Sequence, residues 1–235
     1  MTKRAFNDIV KEIAHWEDKT LKLLLTDTNF IISEEVFTKY YSKITTQRQQ
    51  KVMACRMEAD KKRVLAASLL LKYMCDENEI KTPVYEKNHQ GKPYITGEDR
   101  KIFFNLSHSG EYAVCAYGKQ EVGVDIQERR VTSEAMVGRF LNHMEMEDLP
   151  EDLTERITIV NRLWCIKESF VKLIGLGLSY DMRDCIVDLN KRHIIDLSGR
   201  YDTAYFMEYP LEDEYHLAVS CMKQDLPEGF ERITF

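Results

Sequence analysis

The seven residues Glu121-Val122-Gly123-Val124-Asp125-Ile126-Gln127 read as a strand. Successive side chains along a strand point to opposite faces. Val122, Val124 and Ile126 therefore face a core, and Gly123, Asp125 and Gln127 share the other side. Lacking a side chain, Gly123 is expected to leave open space beside the Asp125 carboxylate, with the Gln127 oxygen about 6–7 Å further along. A hard cation such as Mg2+ takes one or two carboxylates together with water and phosphate oxygens. A wet edge strand fits the same seven residues.

On either side of this strand the chain repeats a pattern. Leu65, Leu69, Leu70 and Tyr73 recur at helical spacing and predict a helix over about 59–74. The turn His89-Gln90-Gly91-Lys92-Pro93 follows, and then the alternating strand Tyr112-Ala113-Val114-Cys115-Ala116-Tyr117. Further on come a helix over about 162–174, the turn Gly175-Leu176-Gly177 and a late strand, Tyr215 to Cys221. Helix, glycine turn and strands thus recur in one order. This predicts an α+β fold of two similar halves, 1–119 and 120–235, with the seam near 119–122.

Composition agrees with that size. The 235 residues, 44% hydrophobic and 31% charged, suit one large domain or two compact ones. The apolar run Val64 to Leu71 is far too short to span a bilayer. The start of the chain, Met1 to Asp8, is basic but lacks the apolar stretch of a signal peptide. A soluble cytoplasmic protein is expected. The six cysteines are scattered with no C-x-x-C pair, so they read as buried thiols, and zinc is not expected. A net charge of −6 argues against nucleic acid or an anionic membrane as partner.

Two further segments can carry chemistry. In Trp164-Cys165-Ile166-Lys167-Glu168-Ser169-Phe170-Val171-Lys172, residues Trp164, Glu168 and Lys172 fall on one helical stripe. Such a Glu–Lys pair is commonly a solvated surface pair, but a tryptophan on the stripe argues for partial burial. In Phe103-Phe104-Asn105-Leu106-Ser107-His108-Ser109-Gly110 a polar cluster lies between apolar runs. Read as a loop, it offers hydroxyls, an imidazole and backbone N–H groups to a phosphate. A plain turn is the alternative. Adjacent Ser107 and His108 are no evidence for a hydrolase triad, and no G-x-S-x-G elbow is present. Arg48, Lys51, Lys61, Lys62 and Arg63 gather positive charge upstream.

Gly91-Lys92-Pro93, Phe104 to Ser109, Gly123-Val124-Asp125-Ile126 and Trp164 to Lys172, in this order and spacing, resemble the 4′-phosphopantetheinyl transferases of the surfactin-synthetase-activating (Sfp-like) family. The resemblance runs from about Arg48 to the C-terminus, where Asp225-Leu226-Pro227-Glu228 also fits. It implies a pseudo-twofold α+β monomer with coenzyme A between the halves. The phosphopantetheine arm of coenzyme A would pass to a serine hydroxyl of an acyl or peptidyl carrier protein, releasing 3′,5′-ADP. The carrier would serve fatty-acid, polyketide or nonribosomal-peptide synthesis.

By position, the resemblance makes Asp125, Gln127 and Glu168 the ligands of Mg2+ (or Mn2+). Glu168 would also take the serine proton, directly or through a bound water, and Lys172 would stabilise charge on the pyrophosphate or departing ADP. Gly91, Lys92 and Pro93 would hold the nucleotide, Ser107 and His108 its phosphates, and Arg48, Lys51 and Arg63 the 3′-phosphate. Gln127 departs from the family, many of whose members carry a third acidic ligand there. The carrier is expected on Arg129, Arg130, Val131, Met136, Val137, Arg139 and Phe140. A non-catalytic coenzyme A binder and a phosphohydrolase are the competing readings.

Overall fold

The computed structural model describes residues 21–97 and 100–235. Met1 to Asp8, read above as basic and without the apolar stretch of a signal peptide, lie outside the described residues. The first half comprises β1 (Leu21–Asp27), helices α1 (Glu34–Tyr41), α2 (Thr46–Met53) and α3 (Glu58–Glu77), then β2 (Val84–Lys87), β3 (Pro93–Gly97), β4 (Arg100–Ser109) and β5 (Tyr112–Gly118). The second comprises β6 (Val122–Glu128), α4 (Glu134–Val137), α5 (His143–Glu147) and α6 (Leu153–Ile174), then β7 (Cys185–Asp188), β8 (His193–Asp196), β9 (Ala204–Glu208) and β10 (Tyr215–Cys221). A short β11 (Glu231–Arg232) ends the chain by pairing parallel to β1.

The two sheets run β11-β1-β5-β4-β3-β2 and β6-β10-β9-β8-β7. Apart from β11 the orders correspond strand for strand, each a strand, a set of helices and a four-strand meander. The fold is α+β, and the repeat expected from sequence is a repeat of topology. The two glycine turns, however, are not equivalent. Gly91 (φ +86°) turns the β2–β3 hairpin, whereas Gly175 (φ +77°) ends α6 and donates its N–H to the Val171 carbonyl.

Four packed layers, helix on sheet on sheet on helix, follow from the side-chain patterns. Leu23, Leu25, Val114 and Ala116 of the first sheet meet Val124, Ile126, Leu217 and Val219 of the second. Helix α3 covers the far face of the first sheet through Ala66, Leu70 and Met74, and α6 covers the second through Leu163, Ile166 and Phe170. Helix α6 begins at Leu153 rather than near 162, with the Asp152 side chain capping the Glu155 N–H. Its first turns hold β-branched residues of weak helix propensity, which hid them in the sequence. All six cysteines are free and all but Cys55 are buried.

Two expectations are corrected here. Gly123 does not leave space beside a carboxylate. A Cβ there would lie 1.9 Å from the Ser169 carbonyl oxygen and 2.5 Å from the Leu173 nitrogen, because the α6 backbone rests on β6. The glycine exists so that the helix can come down. Nor is Phe103 to Gly110 a polar loop, since all but its terminal glycine is strand β4, paired with β5 along its length. The polar residues Asn105, Ser107 and Ser109 occur at period two and so share one face.

That face closes an open sheet edge. β6 is the edge strand of the second sheet, so alternate N–H groups have no strand partner. The Val124 N–H donates to Asn105 Oδ1 at 3.0 Å, the Ile126 N–H to Ser107 Oγ at 3.4 Å, and the Glu128 N–H to Ser109 Oγ at 2.9 Å. Side chains on the face of one sheet thus stand in for a neighbouring strand of the other. Elsewhere the fully buried Lys167 ammonium pairs with Glu145 at 2.5 Å and donates to the carbonyls of Phe140, Met182 and Cys185. It ties α6 to the loops beneath it.

Gly123→Ala is expected to lower stability by at least about 1–3 kcal/mol through overpacking. Gly138→Ala, whose Cβ meets nothing nearer than 3.5 Å, should change it by less than about 0.5 kcal/mol. Denaturant midpoints of the two variants check this; equal midpoints would contradict the close helix–strand contact.

Candidate active site

β6 carries Asp125 and Gln127 to the seam, α6 carries Trp164, Glu168 and Lys172 at intervals of one turn, and β4 carries Ser107 and His108. Together they line a cavity of about 270 Å3. Lys172 Nζ lies 2.5 Å from Asp125 Oδ1 and donates to Ser107 Oγ at 2.9 Å. Ser107 Oγ in turn donates to Asp125 Oδ1 at 2.7 Å. The Ser107 hydroxyl therefore gives its proton to the carboxylate while accepting from the ammonium and from the Ile126 N–H. It sits within this network rather than standing free for a phosphate.

Glu168 has no hydrogen-bond partner among the described residues. Burial and the nearby Asp125 charge raise its pKa, and Lys172 only partly opposes them. Asp125 Oδ2 is likewise unspent, and Gln127, whose amide nitrogen donates to the Glu128 carbonyl, keeps its oxygen free. Two carboxylates and an amide therefore converge with unused hard oxygens and unresolved mutual repulsion. This donor set fits a hard divalent cation that keeps several waters. No group of three or more His, Cys, Asp or Glu poised to hold a metal occurs among the described residues, as expected where the third donor is an amide.

A second cavity of about 340 Å3 adjoins the first across His108 and is lined by Arg48, Lys51, Tyr85, Pro93, Phe104 and Asn105. Arg48 is buried, with its Nε donating to Ser68 Oγ at 2.9 Å. The Lys51 pKa is lowered by lost hydration and by repulsion from Arg48 and Lys87. Such crowding of like charge is relieved by a bound anion. Lys87, on β2, is a member of this cluster that sequence reasoning missed. Arg63 stands nearby but is engaged, pairing with Asp60 at 2.5 Å and donating to the Gly110 carbonyl at 3.1 Å.

The remaining expectations fare differently. The Lys92 ammonium is buried, donating to the carbonyls of Val122 at 2.6 Å and Leu173 at 3.0 Å. It pins the start of β6 to the end of α6, and burial brings its pKa down to about 8. In this structure its charge is spent on scaffold and does not reach the cavities. Gly91 lines neither cavity, and of its three-residue motif only Pro93 does. In the proposed carrier segment, Val137 and Phe140 are core residues at 2% exposure each. Val131, Met136, Arg130 and Arg139 are exposed and Arg129 is half-buried, which leaves fewer surface residues in this segment than expected. A roomier apolar groove of about 970 Å3, between α5, α6, β7 and β8, contains none of the candidate residues.

With this geometry in hand, comparison with known proteins is decisive. Residues 121–220 match the family model of the 4′-phosphopantetheinyl transferase superfamily, and residues 31–120 match that of the 4′-phosphopantetheinyl transferase N-terminal region. The chain belongs to this superfamily and is of its Sfp-like kind, a transferase enzyme. It is 28% identical over 213 residues to 4′-phosphopantetheinyl transferase Sfp of Bacillus subtilis, covering 87% of this chain and 93% of that one. It is 29% identical over 185 residues to 4′-phosphopantetheinyl transferase psf-1 of Bacillus pumilus, covering 76% and 79%. Over 209 residues it is 25% identical to the L-aminoadipate-semialdehyde dehydrogenase-phosphopantetheinyl transferase of Xenopus laevis, covering 77% and 69%.

His108 links the two cavities. Its pKa is lowered by lost hydration and by the Lys172 and Arg63 charges, against a smaller opposing effect of Asp60. The free protein should show its imidazole titrating below the usual value of about 6.5. A nucleotide phosphate placed beside it favours the charged form and should move the midpoint upward. NMR titration of the His108 ring with and without 3′,5′-ADP checks this. A midpoint unchanged by the nucleotide would separate His108 from the phosphates.

Proposed function

We propose that this enzyme transfers the 4′-phosphopantetheine arm of coenzyme A to a serine hydroxyl of an acyl or peptidyl carrier protein, with Mg2+ (or Mn2+), and releases 3′,5′-ADP. The observation that carries the reading is the convergence of Asp125, Glu168 and Lys172 in one cavity that opens, across His108, onto a second cavity lined by Arg48 and Lys51. A 3′-phosphate nucleotide in the second would meet complementary charge, and a pyrophosphate in the first would meet Lys172 and the cation that the two carboxylates would hold. Residues 1–119 then contribute chiefly nucleotide contacts, and 120–235 the metal ligands and catalytic groups.

Asp125, Glu168 and Gln127 would hold the cation. When bound, Mg2+ neutralises pyrophosphate charge and makes the nucleotide a better leaving group. The chain's own residues do the rest. Glu168, at the cavity wall with no hydrogen-bond partner among the described residues, would remove the proton from the incoming serine hydroxyl, directly or through a bound water. The serine oxygen bonds to the phosphorus that bears the pantetheine, and the bond from that phosphorus to the ADP oxygen breaks. Lys172, half-buried and within reach of the same cavity, offsets the charge that develops on the departing oxygen. His108 orients the phosphates from the other wall. Pro93 and Phe104 supply apolar contact in the second cavity.

We place the carrier on Arg129, Arg130, Val131, Met136 and Arg139. Three arginines and two exposed apolar side chains within this one segment suit an acidic helical partner. The enzyme is read as a cytoplasmic monomer; among the described residues no helix is long and apolar enough to cross a membrane.

Intact-mass analysis of a panel of apo carrier proteins, incubated with this enzyme, coenzyme A and Mg2+, tests the reading. One phosphopantetheine unit should be gained, abolished by EDTA and slowed about 10²–10⁴-fold by Glu168→Ala. Coenzyme A binding without mass gain on any carrier would instead favour a non-catalytic binder. Gln127→Glu adds a charged ligand and should keep activity while lowering the Mg2+ concentration at half-maximal rate. Superimposable Mg2+ titrations would deny this position a metal role.

A further inference from the structure

Lys172 occupies an unexpected place for a group assigned to the pyrophosphate. Its ammonium is held by Asp125 Oδ1 at 2.5 Å and by Ser107 Oγ at 2.9 Å, so it rests on the carboxylate that the metal needs. The Ser107 hydroxyl donates to the same carboxylate oxygen, completing a closed three-membered network. The Asp125 side chain is 7% exposed, and no other cation contacts it among the described residues. The Lys172 side chain is 27% exposed and opens on the cavity. The lysine tip can leave by rotating within that cavity, whereas Asp125 is fixed on its strand.

We propose that Lys172 holds the place of the metal on Asp125 until coenzyme A arrives, so that the cation is admitted with the nucleotide rather than ahead of it. A divalent ion entering the free enzyme meets an ammonium already bound to its ligand, and the two repel. A pyrophosphate brings negative charge that draws the ammonium off Asp125 and supplies further oxygens to the ion. Removal of Lys172 from the carboxylate and entry of the ion then become one event. Ser107 is the positioning residue of this exchange: it anchors the ammonium in the free enzyme and continues to hold Asp125 afterwards. The proposal rests on the reading of Asp125 as a metal ligand.

Mn2+ binding, followed by electron paramagnetic resonance of the free ion, tests it without any turnover. The comparison uses wild-type enzyme, Lys172→Gln, Lys172→Arg and Asp125→Asn, each with and without coenzyme A. Without coenzyme A, Lys172→Gln should bind Mn2+ at least tenfold more tightly than wild type, while Lys172→Arg, which keeps a cation at the position, should not. Coenzyme A should tighten Mn2+ binding much more in wild type than in Lys172→Gln. Equal Mn2+ affinity of the wild-type and Lys172→Gln proteins without coenzyme A would overturn the proposal. Should Asp125→Asn leave Mn2+ binding untouched, the metal-ligand reading itself would fall, a result distinguishable from the first. Circular dichroism of each variant confirms that folded proteins are compared.

Discussion

An exposed strand edge must be closed, and in this protein its closure creates the site. The unpaired N–H groups of Val124, Ile126 and Glu128 are met by Asn105, Ser107 and Ser109 from the face of the other sheet. Leaving one buried N–H unmet would cost about 1–3 kcal/mol, so the register of β4 against β6 is strongly fixed. That register sets Ser107 against Asp125. Gly123, two residues earlier, lets α6 rest directly on β6, which brings Glu168 and Lys172 over the same carboxylate. Lys92 pins the far end of the contact.

The electrostatics follow from this assembly. The chain carries a net charge of −6, yet Arg48, Lys51, Lys87, His108 and Lys172 are gathered around two joined cavities. Lost hydration first, and their mutual repulsion second, lower the pKa of Lys51 and of His108. Burial, and after it the Asp125 charge, raises the pKa of Glu168. Like charges held together without relief store binding energy for a ligand that carries the opposite sign. The polyanionic nucleotide and divalent cation proposed for the site would relieve both sets at once.

Much of this was legible in the sequence. Alternation in residues 121–127 separated the core side of β6 from the Asp125 side, and the four-residue spacing of Trp164, Glu168 and Lys172 placed them on one stripe. The repeat of helix and strands predicted two similar halves. What could not be read depends on contacts between distant segments. Gly123 reads as open space because nothing local says that a helix will descend on it. Lys92 looked like a nucleotide ligand, and only the fold shows its ammonium capped by two carbonyls. Phe103 to Gly110 reads as a loop because a polar cluster lies between apolar runs. The alternation of its serines and asparagine was a signal, but its meaning required the unpaired edge of β6. The resemblance puts Val137 and Phe140 on the carrier surface, and nothing local shows that both side chains turn into the core.

Amide hydrogen exchange at Val124, Ile126 and Glu128 tests most directly whether the seam builds the site. These edge-strand amides should exchange as slowly as the β6 amides paired with β10, and Asn105→Ala should release Val124 selectively. Exchange at the rate of a solvent-exposed edge, or no change at Val124 on removing Asn105, would contradict the seam as the element that fixes Asp125.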